Sequence, residues 1–156
     1  MSYECVINGL YDLICRNPDS GEGGLTPTSN DFHLPYFQRT MREELRRKTG
    51  GSIDRCVQIE YKGTRGVKPF ISGGKTRHVD HVMVCVGFFA GDHHDQTHIV
   101  MHSDDKILQN FLVQPDNYPS CQGACVEKID IVNSDVVKLG REQYILELLL
   151  AIQTTS

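Results

Sequence analysis

The sequence predicts an α+β fold, with N-terminal helices packed on an antiparallel sheet and a C-terminal helix closing the chain. Three observations predict it. Apolar residues recur at helical spacing near both ends. The middle of the chain holds apolar runs of strand length. The two kinds of segment come in blocks and do not alternate, which argues against a parallel β/α arrangement. At 156 residues, 39% of them hydrophobic, the chain suits one domain over 1–156 with a real core.

Taken in order, residues 5–15 read as a short helix, because Val6, Leu10, Leu13 and Ile14 share a face. Asn17-Pro18 ends it, since the residue before a proline disfavours helix. Residues 17–31 are rich in Gly, Ser, Asn, Asp and Pro and read as a loop. Residues 35–48 read as a second helix, with Pro35 in its first turn, a Phe37, Met41, Leu45 stripe and Gly50-Gly51 as the stop.

Val57, Ile59 and Tyr61 alternate over 55–61, the pattern of a half-buried strand. Residues 62–77 read as a long basic connection. His81 to Phe89 is the clearest strand and the expected centre of the sheet. Asp92-His93-His94-Asp95 reads as a turn, and 97–102 as the returning strand of a hairpin, because Thr-His-Ile-Val-Met-His is β-prone. Ile107–Val113 and Val126–Val132 read as further strands. Over 140–153, Tyr144, Ile145, Leu148, Leu149 and Ile152 form the apolar face of the expected C-terminal helix.

Charge and targeting signals narrow the function classes. A net charge of −4 supplies no general drive towards nucleic acid or anionic membrane. No apolar run approaches the ~20 residues of a membrane span. The opening residues lack the basic and apolar regions of a secretory signal. The expected compartment is therefore the cytoplasm, or a host cytosol for a viral or injected product. There the six cysteines (Cys5, Cys15, Cys56, Cys85, Cys121 and Cys125) are expected to be reduced. Cys56 and Cys85 lie inside apolar strand patterns, where a thiol acts as a small hydrophobe. Cys121-x-x-x-Cys125 has neither redox nor zinc spacing.

Three positions read together suggest chemistry. Cys5 leads the first helix, where unpaired N–H groups and the positive dipole end favour a thiolate and can receive an oxyanion. His81 opens the expected central strand. Asp104 follows the expected partner strand, which a short hairpin would return beside His81. Asp105 is the substitute if the register slips by one. A nucleophile, a base and a carboxylate that orients the base make a generalised triad.

In Cys5-Val-Ile-Asn-Gly-Leu-Tyr-Asp-Leu-Ile, His81-Val-Met-Val-Cys-Val-Gly-Phe and His98-Ile-Val-Met-His-Ser-Asp-Asp, the chain resembles papain-like cysteine peptidases and amidases. The resemblance touches about 35 residues and lies in the Cys, His, Asp order and spacing. It implies a thiol-dependent hydrolase or amide transferase acting on a protein or peptide, with Cys5 as nucleophile, His81 as base and Asp104 as its orienter. It implies no cofactor. The chain departs from that pattern in having only four residues before Cys5, which leaves no room for the usual upstream oxyanion donor.

Two other features compete. Six of the seven histidines fall between positions 78 and 102: His78, His81, His93, His94, His98 and His102. With Asp80, Asp92 and Asp95 they suggest a metal-dependent hydrolase. On a strand, however, His98 and His102 would lie ~13 Å apart, too far to share an ion. A helix would bring them together. No metal ligand is assigned on that basis. Ser72-Gly73-Gly74-Lys75-Thr76 echoes a phosphate loop without its full spacing, and aromatic interleaving for nucleic acid is sparse. The remaining alternative is a non-catalytic interaction protein (an inhibitor, immunity or accessory factor) working through its acidic loops or basic helix.

Overall fold

The structure, a computed structural model, describes residues 2–15, 24–25, 55–69, 76–90, 93–121 and 124–155. The expected helix at 35–48 and the Ser72–Lys75 segment lie outside these residues. Within them the order is α1 (Ser2–Ile14), β1 (Arg55–Pro69), β2 (Thr76–Phe89), α2 (His94–Leu112), a short 3-10 turn (Pro115–Asn117), β3 (Ser120–Cys121), β4 (Ala124–Leu139) and β5 (Gln143–Thr155). The strands form one antiparallel sheet in the order β1-β2-β5-β4-β3, with four long strands and the two-residue β3 at one end.

The class is mixed, as expected, but the expected arrangement of elements is wrong at two places. There is no C-terminal helix. Residues 143–155 form β5, the strand between β2 and β4. Alternate residues Leu146, Leu148, Leu150 and Ile152 are buried on one face, while Ile145 is buried on the other. A strand covered on both sides is apolar almost continuously, and such a run also satisfies a helical template. The second correction is α2. The strands expected at 97–102 and 107–113 are one helix, whose buried side is Met101, Asp104, Leu108, Phe111 and Leu112. That spacing of three and four belongs to a helix, and it outweighs the β-branched Ile99 and Val100, which face solvent.

The other elements form near their expected places and run longer. β1 and β2 take in parts of the expected 62–77 connection, and β4 continues seven residues past the expected end at Val132. β2 is an interior strand between β1 and β5, while the middle place in the sheet, expected for β2, is taken by β5.

The main core is a single layer between the helices and one face of the sheet. Val6, Ile7, Leu10 and Ile14 of α1 and Met101, Leu108 and Leu112 of α2 join Val57 and Ile59 of β1, Val82, Val84 and Val86 of β2, and Leu146, Leu148 and Leu150 of β5. Each fully buried aliphatic side chain contributes about 1.5–3 kcal/mol relative to exposure. A smaller cluster of Cys56, Cys85 and Ile145 lies on the opposite face, with Met83 and Val137 against it. Both residue sets alternate along their strands, so the two faces of the sheet are assigned position by position. No helix among the described residues is long and apolar enough to cross a membrane.

Candidate functional site

Cys5, in the first turns of α1, is disulfide-bonded. Its sulfur lies 3.8 Å from the carbonyl oxygen of Ser120 in β3. The expectation that all six thiols are reduced is thereby corrected, and the sulfur is not a thiolate in this form. Cys15, Cys56, Cys85 and Cys125 are outside any disulfide, and Cys125 is the exposed one.

His81 and Asp104 are not brought together with Cys5 or with each other. Val82, Val84 and Val86 face the helices, so His81 faces the other side of the sheet with Met83 and Cys85. Its backbone partners are Gly63 and Ala151. Its Nδ1 is buried without a hydrogen-bond partner among the described residues. Asp104 is 3% exposed on the sheet-facing side of α2, so the sheet stands between it and His81. The substitute, Asp105, is engaged elsewhere, accepting bonds from Gln109 Nε2 and Ser134 Oγ, both at 2.8 Å. The hairpin that was expected to return this acid to His81 is replaced by a helix, and that replacement separates the pair.

The six clustered histidines divide in the same way. His78 sits on the helix-facing side of β2, two positions from Asp80 in a polar chain across three strands. Tyr61 bonds Thr64 at 2.6 Å, and Thr64 donates to Asp80 Oδ1 at 2.5 Å. His78 Nε2 lies 3.5 Å from Asp80 Oδ2 and 2.8 Å from Thr154 Oγ1. The carboxylate and the hydroxyl thus meet the same ring nitrogen. A relay needs them on opposite nitrogens, so these residues do not form a hydroxyl-imidazole-carboxylate triad. They link β1, β2 and β5.

The remaining four histidines belong to α2 and its N-cap. His94, His98 and His102 recur at i, i+4 and i+8 along one stripe. His94 Nδ1 bonds the phenol oxygen of Tyr144 at 2.8 Å, and the His98 ring meets the same phenol edge-on, 5.0 Å between centroids. Among the described residues no three His, Cys, Asp or Glu side chains converge as a metal cage.

Among the described residues two long strands, β1 and β4, lack a strand on one side, and exposed valines and a cleft mark β4. β3 pairs with it only at Ala124 and Cys125. From Val126 to Leu139 its second side has no strand partner among the described residues. Val132 and Val136 are 54% and 52% exposed on it. Register shifts at Val126/Lys128 and Ile131/Asn133 bend this edge, and Lys128, Asp130, Asp135 and Lys138 place charge along it. Where β3 leaves β4, an open cleft of about 700 Å³ is lined by Pro115, Tyr118, Pro119 and Ser120 on one side and Cys125, Val126 and Glu127 on the other.

Glu127 anchors the mouth of this cleft to the sheet. It accepts bonds from Thr155 and, at 2.6 Å, from Gln153, and it pairs with Arg77 at 2.9 Å. Those hydroxyl and amide bonds, then the arginine, hold its carboxyl below the ordinary glutamate range. Arg77, at the end of the expected basic connection, is therefore committed to an ion pair within the sheet. No known family model matches the chain, and no curated protein matches it significantly.

The β4 edge was missed in the sequence because Val126–Val132 reads as an ordinary strand, and a single strand carries no mark of which neighbours it lacks. The His94, His98, His102 spacing is legible, but only once the segment is read as a helix.

Proposed function

We propose that this chain is a protein-interaction module that receives an extended segment of a partner protein along the open edge of β4. The observation that carries this reading is the run from Val126 to Leu139, which has no strand on its second side among the described residues, with Val132 and Val136 exposed on it and a cleft at its start. An edge strand offers a row of backbone donors and acceptors, and an added strand takes its affinity from these and its specificity from flanking side chains. The bulges and charges of β4 disfavour indiscriminate pairing, which selects for a matched partner. The apolar cleft walls at Tyr118 and Pro119 would hold a side chain at one end of the segment.

The thiol-hydrolase alternative, with Cys5, His81 and Asp104, draws less support from this geometry. It requires both release of the Cys5 disulfide and a path for His81 across the sheet. A cytoplasmic or host-cytosolic location remains part of the proposal and requires that the Cys5 disulfide form despite reducing surroundings.

The test is a photo-crosslinking amino acid placed at Val132 or at Ile99 and activated in cells that express the protein. The expected result is one discrete crosslinked protein from position 132, absent from position 99 and lost on Val136→Asp. Equal products from both positions, or none from 132, would overturn the proposal. Alkylation of the native protein separates the rival: Cys125 should label first, and Cys5 only after reduction. A Cys5 that labels fastest without reductant, and loses this in His81→Ala, would favour the thiol enzyme.

A further inference from the structure

We infer that His94 and His98 form a two-imidazole chelate for a divalent transition-metal ion, with Zn²⁺ as the representative. Residues four apart on a helix have Cβ atoms about 5–6 Å apart on one face, close enough for both rings to reach one ion. α2 supplies that spacing at its first turns. Tyr144 supplies the orientation. Its ring is 4% exposed and fixed in the core, and both imidazoles rest edge-on against it, at 5.8 Å for His94 and 5.0 Å for His98.

The bond between Tyr144 and His94 determines which atom ligates. The phenol takes Nδ1 at 2.8 Å, which leaves Nε2 as the coordinating atom. Ligation at Nε2 requires Nδ1–H to donate to the phenol oxygen, the role that outer partners commonly play for ligating histidines. Tyr144 is thus a positioning residue and does not touch the metal. His98 is exposed, so its ring can turn to the ion without disturbing the core. His102 lies one turn further on, and the structure gives it no ring contact with Tyr144.

Two protein ligands leave coordination positions for water or for a donor from another molecule. Imidazole donors select zinc, copper or nickel over magnesium and calcium, which prefer oxygen. Two local features oppose the cation. One is the positive end of α2. The other is Lys138, whose Nζ stands 5.9 Å over the Tyr144 ring. Removing the lysine charge should therefore tighten binding.

The experiment is calorimetric titration of Zn²⁺ into the full chain, with exposed thiols alkylated beforehand and Mg²⁺ as control. One equivalent of Zn²⁺ should bind and Mg²⁺ should not. His94→Ala and His98→Ala should each weaken binding by tenfold or more, and Tyr144→Phe by about tenfold through lost orientation. Lys138→Gln should tighten it by about threefold, and His102→Ala should leave it unchanged. The inference is overturned if no saturable binding occurs below about 1 mM, or if His98→Ala binds like the parent. It is also overturned if His102→Ala weakens binding as much as His94→Ala while Tyr144→Phe has no effect, because the exposed stripe would then bind without a built site.

Discussion

Tyr11 closes a gap at the edge of the sheet. Among the described residues β1 is an end strand, so no strand lies beside its outward backbone groups there. The Ile59 N–H donates to the Tyr11 phenol oxygen at 2.8 Å, inside the core and 48 residues away in sequence. Tyr11→Phe keeps the ring but strands that buried amide. It should lower unfolding free energy by about 1–3 kcal/mol in urea titrations, with an unchanged slope. No loss would mean that the amide finds another acceptor. Gly9 is constrained in a different way. A Cβ there would stand 2.7 Å from Pro119 Cβ, so α1 can approach the segment before β3 only with a hydrogen at that position. The same approach places Cys5 beside Ser120.

At the scale of the element, α2 shows how a helix overrides local propensity. Ile99 and Met101 would share a face on a strand and do not on a helix. Ile99 is 69% exposed and Met101 is 2% exposed. Ile99→Ala should change stability by less than about 0.5 kcal/mol. Met101→Ala should cost about 2–5 kcal/mol. Equal costs for the two, read by chemical denaturation, would return this segment to a strand. β5 is the converse. Its leucines favour helix by intrinsic preference, yet β2 and β4 pair with it along its length and cover the backbone that a helix would have satisfied internally.

The whole molecule is two long hairpins, β1–β2 and β4–β5, joined along β2 and β5 with α2 as the connection between them. Stability should therefore be graded across the sheet. Amides of β2 and β5 are bonded within the sheet and lie against the main core, whereas the outward amides of β4 after Val126 have no strand beside them among the described residues. Native-state hydrogen exchange should find β2 and β5 slowest, opening only with global unfolding, and alternate β4 amides faster by orders of magnitude. Uniform protection across β4 would show that its edge is already covered, and would remove the ground for strand addition there.

Alternation at Val57, Ile59 and Tyr61, the apolar run from Val82, and the helical face of Val6, Leu10 and Ile14 are properties of the chain itself. They placed β1 and α1 because each of those patterns matches only one period over its length, and β2 because its run is short and rich in valine. Segments 97–113 and 140–153 were not decidable locally. A six-residue window around Ile99 is β-branched, and β5 is apolar at both periods. Which backbone groups are satisfied by neighbours, and which by the segment itself, is settled only when the sheet assembles. The same holds for the site. The residue types Cys, His and Asp are legible in the sequence, but whether His81 and Asp104 share a face depends on the element between them. A hairpin there would have joined them. A helix there puts the sheet between them and gathers His94 and His98 on Tyr144.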